Sequence, residues 1–317
     1  MSPMAETKSL AACFEEQRLH LESLAYRLLG SLSQADDAVQ EAWQRLLRVD
    51  LAQVDDLSAW LTAVVARVCL DALRKQRARR RSLPVQLPDP LVERDPGREA
   101  DADARAGQPR TAKRAPPRTD TISLALFVVL ETLTPAERLT FVLQELCALP
   151  SEQIAPIVGR TPTAVRLLAS RARRRVLGAS CTVGRPALSH EQQRRAVDTF
   201  LAATRRRDFD ALLAVLDSNV VLRADRGAVP STRGCELRGA GQVAKQALQF
   251  ARLAETARPA LVNGTAGAVS WLPGGQPFSV LGFTLADRQI VELYVFADPS
   301  RLAQLDLAKF AAATPKL

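Results

Sequence analysis

Residues 151–176 read SEQIAPIVGRTPTAVRLLASRARRRV, and this stretch decides how the middle of the chain folds. Ser151 is placed to cap a short helix holding Ile154, Ala155 and Ile157, since a serine hydroxyl accepts from a free first-turn amide. Gly159-Arg160 supplies a turn. Thr161-Pro162 opens a second helix, with proline where its missing N–H costs nothing. Val165, Leu168, Ala169, Ala172 and Val176 then share one face, the spacing of a half-buried helix. Short helix, glycine turn and capped second helix make a helix-turn-helix. Its outward side carries Thr163, Arg166, Ser170, Arg173 and Arg174, with Arg171 and Arg175 beside them. A recognition helix needs side chains that reach base edges and arginines that hold phosphates. An ordinary helical hairpin with a basic face has the same spacing.

Upstream, Thr134-Pro135-Ala136-Glu137 is a compact helix start continued by Phe141, Val142 and Leu146, with Thr134 as cap and Glu137 reaching back. Helical periodicity covers Ile122 to about Leu177. Seven prolines (Pro84, Pro88, Pro90, Pro96, Pro109, Pro116, Pro117) precede it among charges and small residues. Such composition buries too little surface to offset ordering entropy, so a flexible linker is expected over residues 83–118. Further upstream, Ser33-Gln34-Ala35-Asp36 reads as a variant capping box. In the helix after it, Val39, Ala42, Trp43, Leu46 and Leu47 face inward, and Asp37, Gln40, Glu41, Gln44, Arg45 and Arg48 outward. A second helix runs from about Leu57 to Arg81, buried along Leu57, Leu61, Val64, Val65, Val68 and Ala72. Arg67, Arg74 and Arg81 recur every seven residues on the other side, and Arg74, Lys75, Arg77, Arg79, Arg80 and Arg81 crowd its end. That density exceeds what a helix C-terminus needs, and a phosphate-tracking surface fits it better.

The formal charge of +9 rests on arginine, which favours a nucleic-acid partner. Only 5% of residues are aromatic, which argues against a row of stacking platforms for single strands. The five cysteines, Cys13, Cys69, Cys147, Cys181 and Cys235, are scattered without a C-x-x-C pair, against a disulfide framework or a zinc site. Met1–Glu16 has no signal-like apolar run, and no stretch is apolar enough to span a bilayer. A soluble, cytoplasmic chain without membrane contact is expected. After a break at Cys181–Pro186 the pattern changes to one or two helices, then short β-type runs.

Taken together, these residues resemble the extracytoplasmic-function sigma factors. Ala25-Tyr26-Arg27-Leu28-Leu29-Gly30-Ser31 leading into Asp36-Asp37-Ala38-Val39-Gln40-Glu41-Ala42-Trp43 resembles the family's region two, and Ala59-Trp60-Leu61-Thr62 through Arg81 its minus-ten part. Leu130-Glu131-Thr132-Leu133-Thr134-Pro135-Ala136-Glu137-Arg138 with the helix-turn-helix resembles region four, which reads the minus-thirty-five element. The resemblance implies a factor that binds core RNA polymerase and directs it to promoter DNA. It places Asp36, Asp37, Gln40, Glu41 and Arg45 against the polymerase. Arg67, Arg74, Lys75 and Arg77 fall along the melted promoter. Thr163, Arg166, Ser170, Arg171, Arg173 and Arg174 fall on the upstream element.

The C-terminal part resembles the subgroup with a SnoaL-like domain, a cone of bent strands wrapped by helices that regulates the sigma core. The fold expected is multidomain: region two at 10–82, region four at 119–180, both all-α, and an α+β cone at 187–303. In the cone, helices at His190–Thr204 and Phe209–Leu216 precede a strand at Val220–Asp225 and a helix near Gly241–Leu253. Strands follow at Ala260–Asn263, Ala268–Leu272 and Phe278–Ala286, with a turn at Asp287-Arg288 into Ile290–Ala297. Three family segments are altered. Gln86-Leu87-Pro88-Asp89-Pro90 lacks a tryptophan, Asp225-Arg226-Gly227-Ala228-Val229 replaces a glycine-rich loop, and Asp298-Pro299-Ser300-Arg301-Leu302 replaces Asn-Pro-Asp-Lys-Leu. In the family these segments help the extension hold the sigma core, and their erosion calls that contact into question.

Folds of this kind include isomerases and cyclases, but neither histidine, His20 or His190, is placed as a pocket base. No metal-ligand cluster or nucleophile–base pair is visible. No catalytic residue, metal or cofactor is expected. Asp225, Trp271, Phe278, Phe283 and Tyr294 are candidates for a pocket taking a small-molecule ligand, and core packing explains the aromatics equally well. Two other readings stay open: a helix-turn-helix regulator acting without polymerase, and a SnoaL-type enzyme with a helical appendage.

Overall fold

The computed structural model describes residues 3–50, 54–79, 87–95, 122–179, 188–225, 227, 235–307 and 310. They fall into two compact units: 1–83 with 127–179, and 84–126 with 180–317.

The first unit is helical. α1 (Pro3–Leu29) ends at Gly30, whose φ of 70° lets its amide bond back to the Tyr26 carbonyl at 2.7 Å. α2 (Leu32–Leu46) starts directly after that reversal with Ser31 as its cap residue. Ser33 and Asp36 therefore lie inside the helix, and the capping box expected there does not form. α2 buries Ala35, Ala38, Val39, Ala42 and Leu46, while Leu47, expected inward, is half exposed just past its end. α3 (Leu57–Arg79) buries Leu61, Val64, Val65 and Val68, and also Ala66, Cys69, Leu70 and Leu73. It is covered on a second side because two of the region-four helices, Pro135–Phe141 and Ser151–Val158, pack there.

The region-four helices are α4 (Leu124–Leu130), whose first turn falls in the second unit, α5 (Pro135–Phe141), α6 (Ser151–Val158) and α7 (Pro162–Ala179). The Thr134 hydroxyl accepts from the Glu137 amide at 3.3 Å and Glu137 accepts from the Thr134 amide at 2.9 Å, the reciprocal cap expected. A wide π turn at Val142–Leu146 continues α5. Pro150, not Ser151, caps α6, and Gly159 closes it at φ 70°. The Thr161 hydroxyl accepts from the Ala164 amide at 3.3 Å and starts α7.

In the second unit, α8 (His190–Arg206) and α9 (Phe209–Val215) lead into a sheet ordered β1-β4-β5-β6-β7-β2-β3. The strands are β1 (Val92–Glu93), β2 (Leu216–Asp225), β3 (Cys235–Arg238), β4 (Arg258–Val262), β5 (Thr265–Trp271), β6 (Pro277–Ala286) and β7 (Gln289–Phe296). Among the described strands only β2 and β7 run parallel. Irregularities between Leu216 and Val221, Ser270 and Trp271, and Thr284 and Leu285 mark where bulges bend such a sheet. α10 (Ala240–Gln249) and α11 (Ala251–Glu255) complete the SnoaL-like cone, and α12 (Pro299–Leu302) follows β7. Its core packs Val197, Phe200 and Leu201 of α8 against Val220, Phe283, Ile290 and Leu293 of the sheet. Asp287 and Arg288 both have positive φ in the turn expected.

One expectation is corrected. Residues 87–95, placed in a flexible linker, are packed onto the cone: Leu87 is 4% exposed, Asp89 8% and Asp95 8%. β1 pairs with β4, Val92 opposite Val262. Proline and charge do not keep a segment loose when partners elsewhere in the chain satisfy its polar groups. Residues 96–118 of the expected linker lie outside the described residues, as do Arg80 and Arg81.

Candidate nucleic-acid interface and C-terminal clamp

α7 buries Val165, Ala169, Ala172 and Val176 and exposes Thr163, Arg166, Ser170, Arg171, Arg173 and Arg174. Arg166 bonds Glu152 at 3.1 Å and Arg173 bonds Glu145 at 2.5 Å, both arginines more than half exposed. Such surface pairs contribute on the order of 1 kcal/mol or less and yield easily to a phosphate or base. Arg175 is committed elsewhere, to the buried Glu137 carboxylate at 2.9 Å. Leu167, absent from the sequence expectation, stands 56% exposed between Thr163 and Arg171. A thymine methyl is the natural contact for an apolar side chain on such a face. Its four-residue spacing from both neighbours was the signal available.

On α3, Arg67, Arg74, Lys75 and Arg77 are all exposed. Two of them are engaged with region four: Arg67 donates to the Pro156 carbonyl at 3.2 Å and Arg77 to the Leu133 carbonyl at 3.2 Å. Arg74 bonds Asp71 at 3.1 Å. Beneath this contact Arg138 of α5 donates to Glu131 at 2.7 Å, and burial lowers its pKa to about 10, so it stays charged at neutral pH. Burial pushes the nearby Cys69 thiol up to about 12, against the opposing pull of Arg138. Region two and region four are thus bonded through the cations expected on DNA. On α2, Asp37, Gln40, Glu41 and Arg45 are exposed and Asp36 half-buried. Asp36 accepts from Gln40 at 2.8 Å and Arg18 at 3.5 Å, and Arg45 bonds Glu41 at 2.6 Å.

In the cone, described residues of the three segments that depart from the family pattern meet at Arg301. Arg301 donates to Asp89 from Nε at 2.8 Å, to the Leu87 carbonyl from Nη2 at 2.6 Å, and to the Asp225 carboxylate from Nη1. A planar guanidinium bridges three acceptors where a lysine ammonium, the family's residue, is a single point charge. Asp298 accepts from the Ser300 and Arg301 amides and so starts α12. Asn263, at φ 49° before Gly264 at 73°, holds the strand β1. Its side-chain oxygen accepts from the Leu91 amide at 3.0 Å, and its own amide donates to the Leu91 carbonyl at 2.8 Å. Its side-chain nitrogen donates to the Ile122 carbonyl at 3.0 Å. Arg194 pairs with Asp95 at 3.4 Å.

The cone also encloses a cavity of about 380 Å³ between α8, α10, α11 and the sheet. Of the five pocket candidates, only Phe278 lines it. Asp225 turns to Arg301. Phe283 packs edge-on against Phe200 at 5.4 Å within the core. Tyr294 is fully buried and donates to Glu292 at 2.5 Å; burial, then the Glu292 charge, raises its pKa well above the usual value. Trp271 is 7% exposed and lies outside the cavity wall. Phe283 lies opposite Leu293 and Tyr294 opposite Gly282, so the two aromatics point to opposite faces of the sheet, and core packing accounts for both. The described lining is apolar apart from Thr204, Gln246, Ser270 and Ser279, so it offers hydroxyl and amide hydrogen bonds and no titratable group. Among the described residues no group of three His, Cys, Asp or Glu side chains could hold a metal ion. No described helix is long and apolar enough to cross a membrane.

A helical block with an acidic-to-mixed outer face, a second one with a basic recognition helix, and a cone that follows them in the chain define a promoter-recognition class. Residues 13–79 match the family model Sigma-70 region 2, and residues 123–176 match Sigma-70, region 4. The chain is 32% identical over 308 residues to a probable ECF RNA polymerase sigma factor, SigI, of Mycobacterium tuberculosis, covering 95% of this chain and 98% of that one. It is 33% identical over 301 residues to the ECF RNA polymerase sigma factor SigJ of the same organism, covering 91% of each. The crystal structure of Mycobacterium tuberculosis SigJ superposes with a TM-score of 0.70 at 31% identity, over 94% of this chain and 99% of that one. The chain belongs to the extracytoplasmic-function sigma factors, in the subgroup with a C-terminal SnoaL-like domain.

Proposed function

We propose that this sigma factor, which binds core RNA polymerase and directs promoter-specific initiation, divides that work among three surfaces. Thr163, Arg166, Ser170, Arg171, Arg173 and Arg174 of α7, with Leu167 among them, read the upstream element. Arg67, Arg74, Lys75 and Arg77 of α3 track the melted strand. Asp36, Asp37, Gln40, Glu41 and Arg45 of α2 face the polymerase. The observation that carries the reading is the split of α7, four small or branched apolar side chains buried and six polar ones exposed.

In this reading the chain acts stoichiometrically beside polymerase and DNA in the cytoplasm, and the free protein is closed. Arg67 and Arg77 each direct one N–H to the Pro156 and Leu133 carbonyls, and in this reading polymerase binding separates α3 from α5 and α6 so that both guanidinium groups turn fully to phosphate. The cone regulates by gripping residues 87–95 through Arg301 and Asn263, and its cavity takes a small molecule.

Footprinting of full-length protein with core polymerase tests the recognition face. Arg166→Ala is expected to cost about 1–3 kcal/mol at one base pair and to relax preference there, if the guanidinium reads a base edge. A loss of equal size on every promoter sequence would make Arg166 a phosphate contact instead. A tight, sequence-specific shift of duplex DNA without polymerase would replace this reading with that of a regulator acting alone.

A further inference from the structure

The cavity and the grip on residues 87–95 share a wall. On β2, Ala224 lines the cavity and the next residue, Asp225, holds Arg301; adjacent strand residues point to opposite faces. After β7, Ala297 and Pro299 line the cavity, and Asp298 between them caps the helix that presents Arg301. The Ala297 amide also bonds the Asp225 carbonyl at 2.8 Å. The elements that shape the cavity are therefore those that aim the two charged partners of the grip.

The lining states what fits. About 380 Å³ lies within the roughly 300–1,000 Å³ that encloses a small organic ligand. No charged side chain lines it among the described residues, so an ion would be desolvated without a partner. Ser270 and Ser279, 3% and 4% exposed, bond one another through their hydroxyls at 2.7 Å, and both line the cavity. One proton joins the pair. The other O–H has no acceptor among the described residues.

We propose that this cavity takes a neutral, mostly apolar molecule of bicyclic to tricyclic size with one hydrogen-bond acceptor, and that its occupancy tightens the hold on residues 87–95. The sign follows from population shift. A ligand that needs Ala224, Ala297 and Pro299 in place binds the gripped state better and stabilises it, and by linkage loss of the grip weakens the ligand equally. This rests on the regulatory grip proposed above.

The test uses the full chain and prodan, a neutral naphthyl ketone whose emission shifts blue in apolar surroundings. Saturable blue-shifted binding is expected, abolished by Ala254→Phe and weakened by Ser270→Ala with Ser279→Ala, with native circular dichroism in both. The anionic anilinonaphthalene sulfonate should not compete. Saturating prodan should slow exchange of the Leu91 amide about fivefold or more, and Arg301→Ala should weaken prodan by the same factor. No saturable shift, or undiminished binding in both variants, overturns the cavity assignment. Binding that leaves Leu91 exchange unchanged overturns the coupling. If Arg301→Ala fails to speed Leu91 exchange without prodan, the grip itself fails, independently of whether prodan binds.

Discussion

At Arg301 one guanidinium meets two carboxylates and a carbonyl, with 16% of its side chain exposed against 11% for Asp89 and 9% for Asp225. Removing one partner of a buried pair strands the other charges and costs about 3–5 kcal/mol. Arg301→Ala is therefore expected to release residues 87–95 locally, raising Leu91 amide exchange by a factor on the order of a hundred while the cone core keeps its protection. Unchanged exchange would show that the segment is held without this residue. Arg301→Lys restores charge but not the fork, and an intermediate rate is expected. None of this was readable from residues 298–302 alone. A lysine-to-arginine exchange reads as conservative until the geometry shows three acceptors around it.

At the scale of elements, the strand β1 and the α3–α5 contact were both missed in the sequence, for different reasons. β1 is two residues long and has no periodicity to detect. Its signal lay at Asn263-Gly264, the dipeptide that favours a tight hairpin, whose side chain turned out to hold the distant Leu91 and Ile122. Asn263→Gly keeps the positive φ and removes the side-chain bonds. It is expected to cost about 1–3 kcal/mol of local stability at β1, seen as faster Leu91 exchange with the β4–β5 hairpin intact. The helix-turn-helix and the Thr134 cap were legible because their information is local. The second buried side of α3 was not, since it reflects a partner some sixty residues away.

That contact supplies its own reporter in Cys69. A thiol reacts as thiolate, and with its pKa pushed to about 12 the buried Cys69 is inert at pH 8. In the proposed open state, separation of α3 from α5 uncovers Cys69 and brings its pKa down toward the ordinary value. Labelling of a variant retaining only this cysteine should then rise on adding core polymerase by on the order of a hundredfold or more. An unchanged rate would mean that the two regions stay together on the polymerase. The linkage has a definite sign: the raised pKa contributes stability below about pH 9, and this is lost as pH rises toward 12.

Across the whole molecule, the chain passes from the first unit to the second after residue 83, returns at 127 and leaves again at 180. The segment joining the two sigma regions thus belongs to the cone's unit. In the proposed reading, release of the grip frees residues 87–95 from the cone, and this is the route by which a domain with no DNA-facing role assigned to it governs promoter recognition. Fold class and order were legible in the sequence because two helical blocks with their own caps and faces recur in the family's order. The bond through which the cone is proposed to act was not, because it joins Arg301 to Asp89, some two hundred residues apart.

Transcription with purified core polymerase over a pool of promoter fragments, comparing the full chain with Arg301→Ala, tests this account most directly. Transcripts from the same start sites with both proteins, in amounts that differ between them and absent without either, are the predicted result. No specific transcript with either protein, while the full chain alone still shifts duplex DNA, would contradict it.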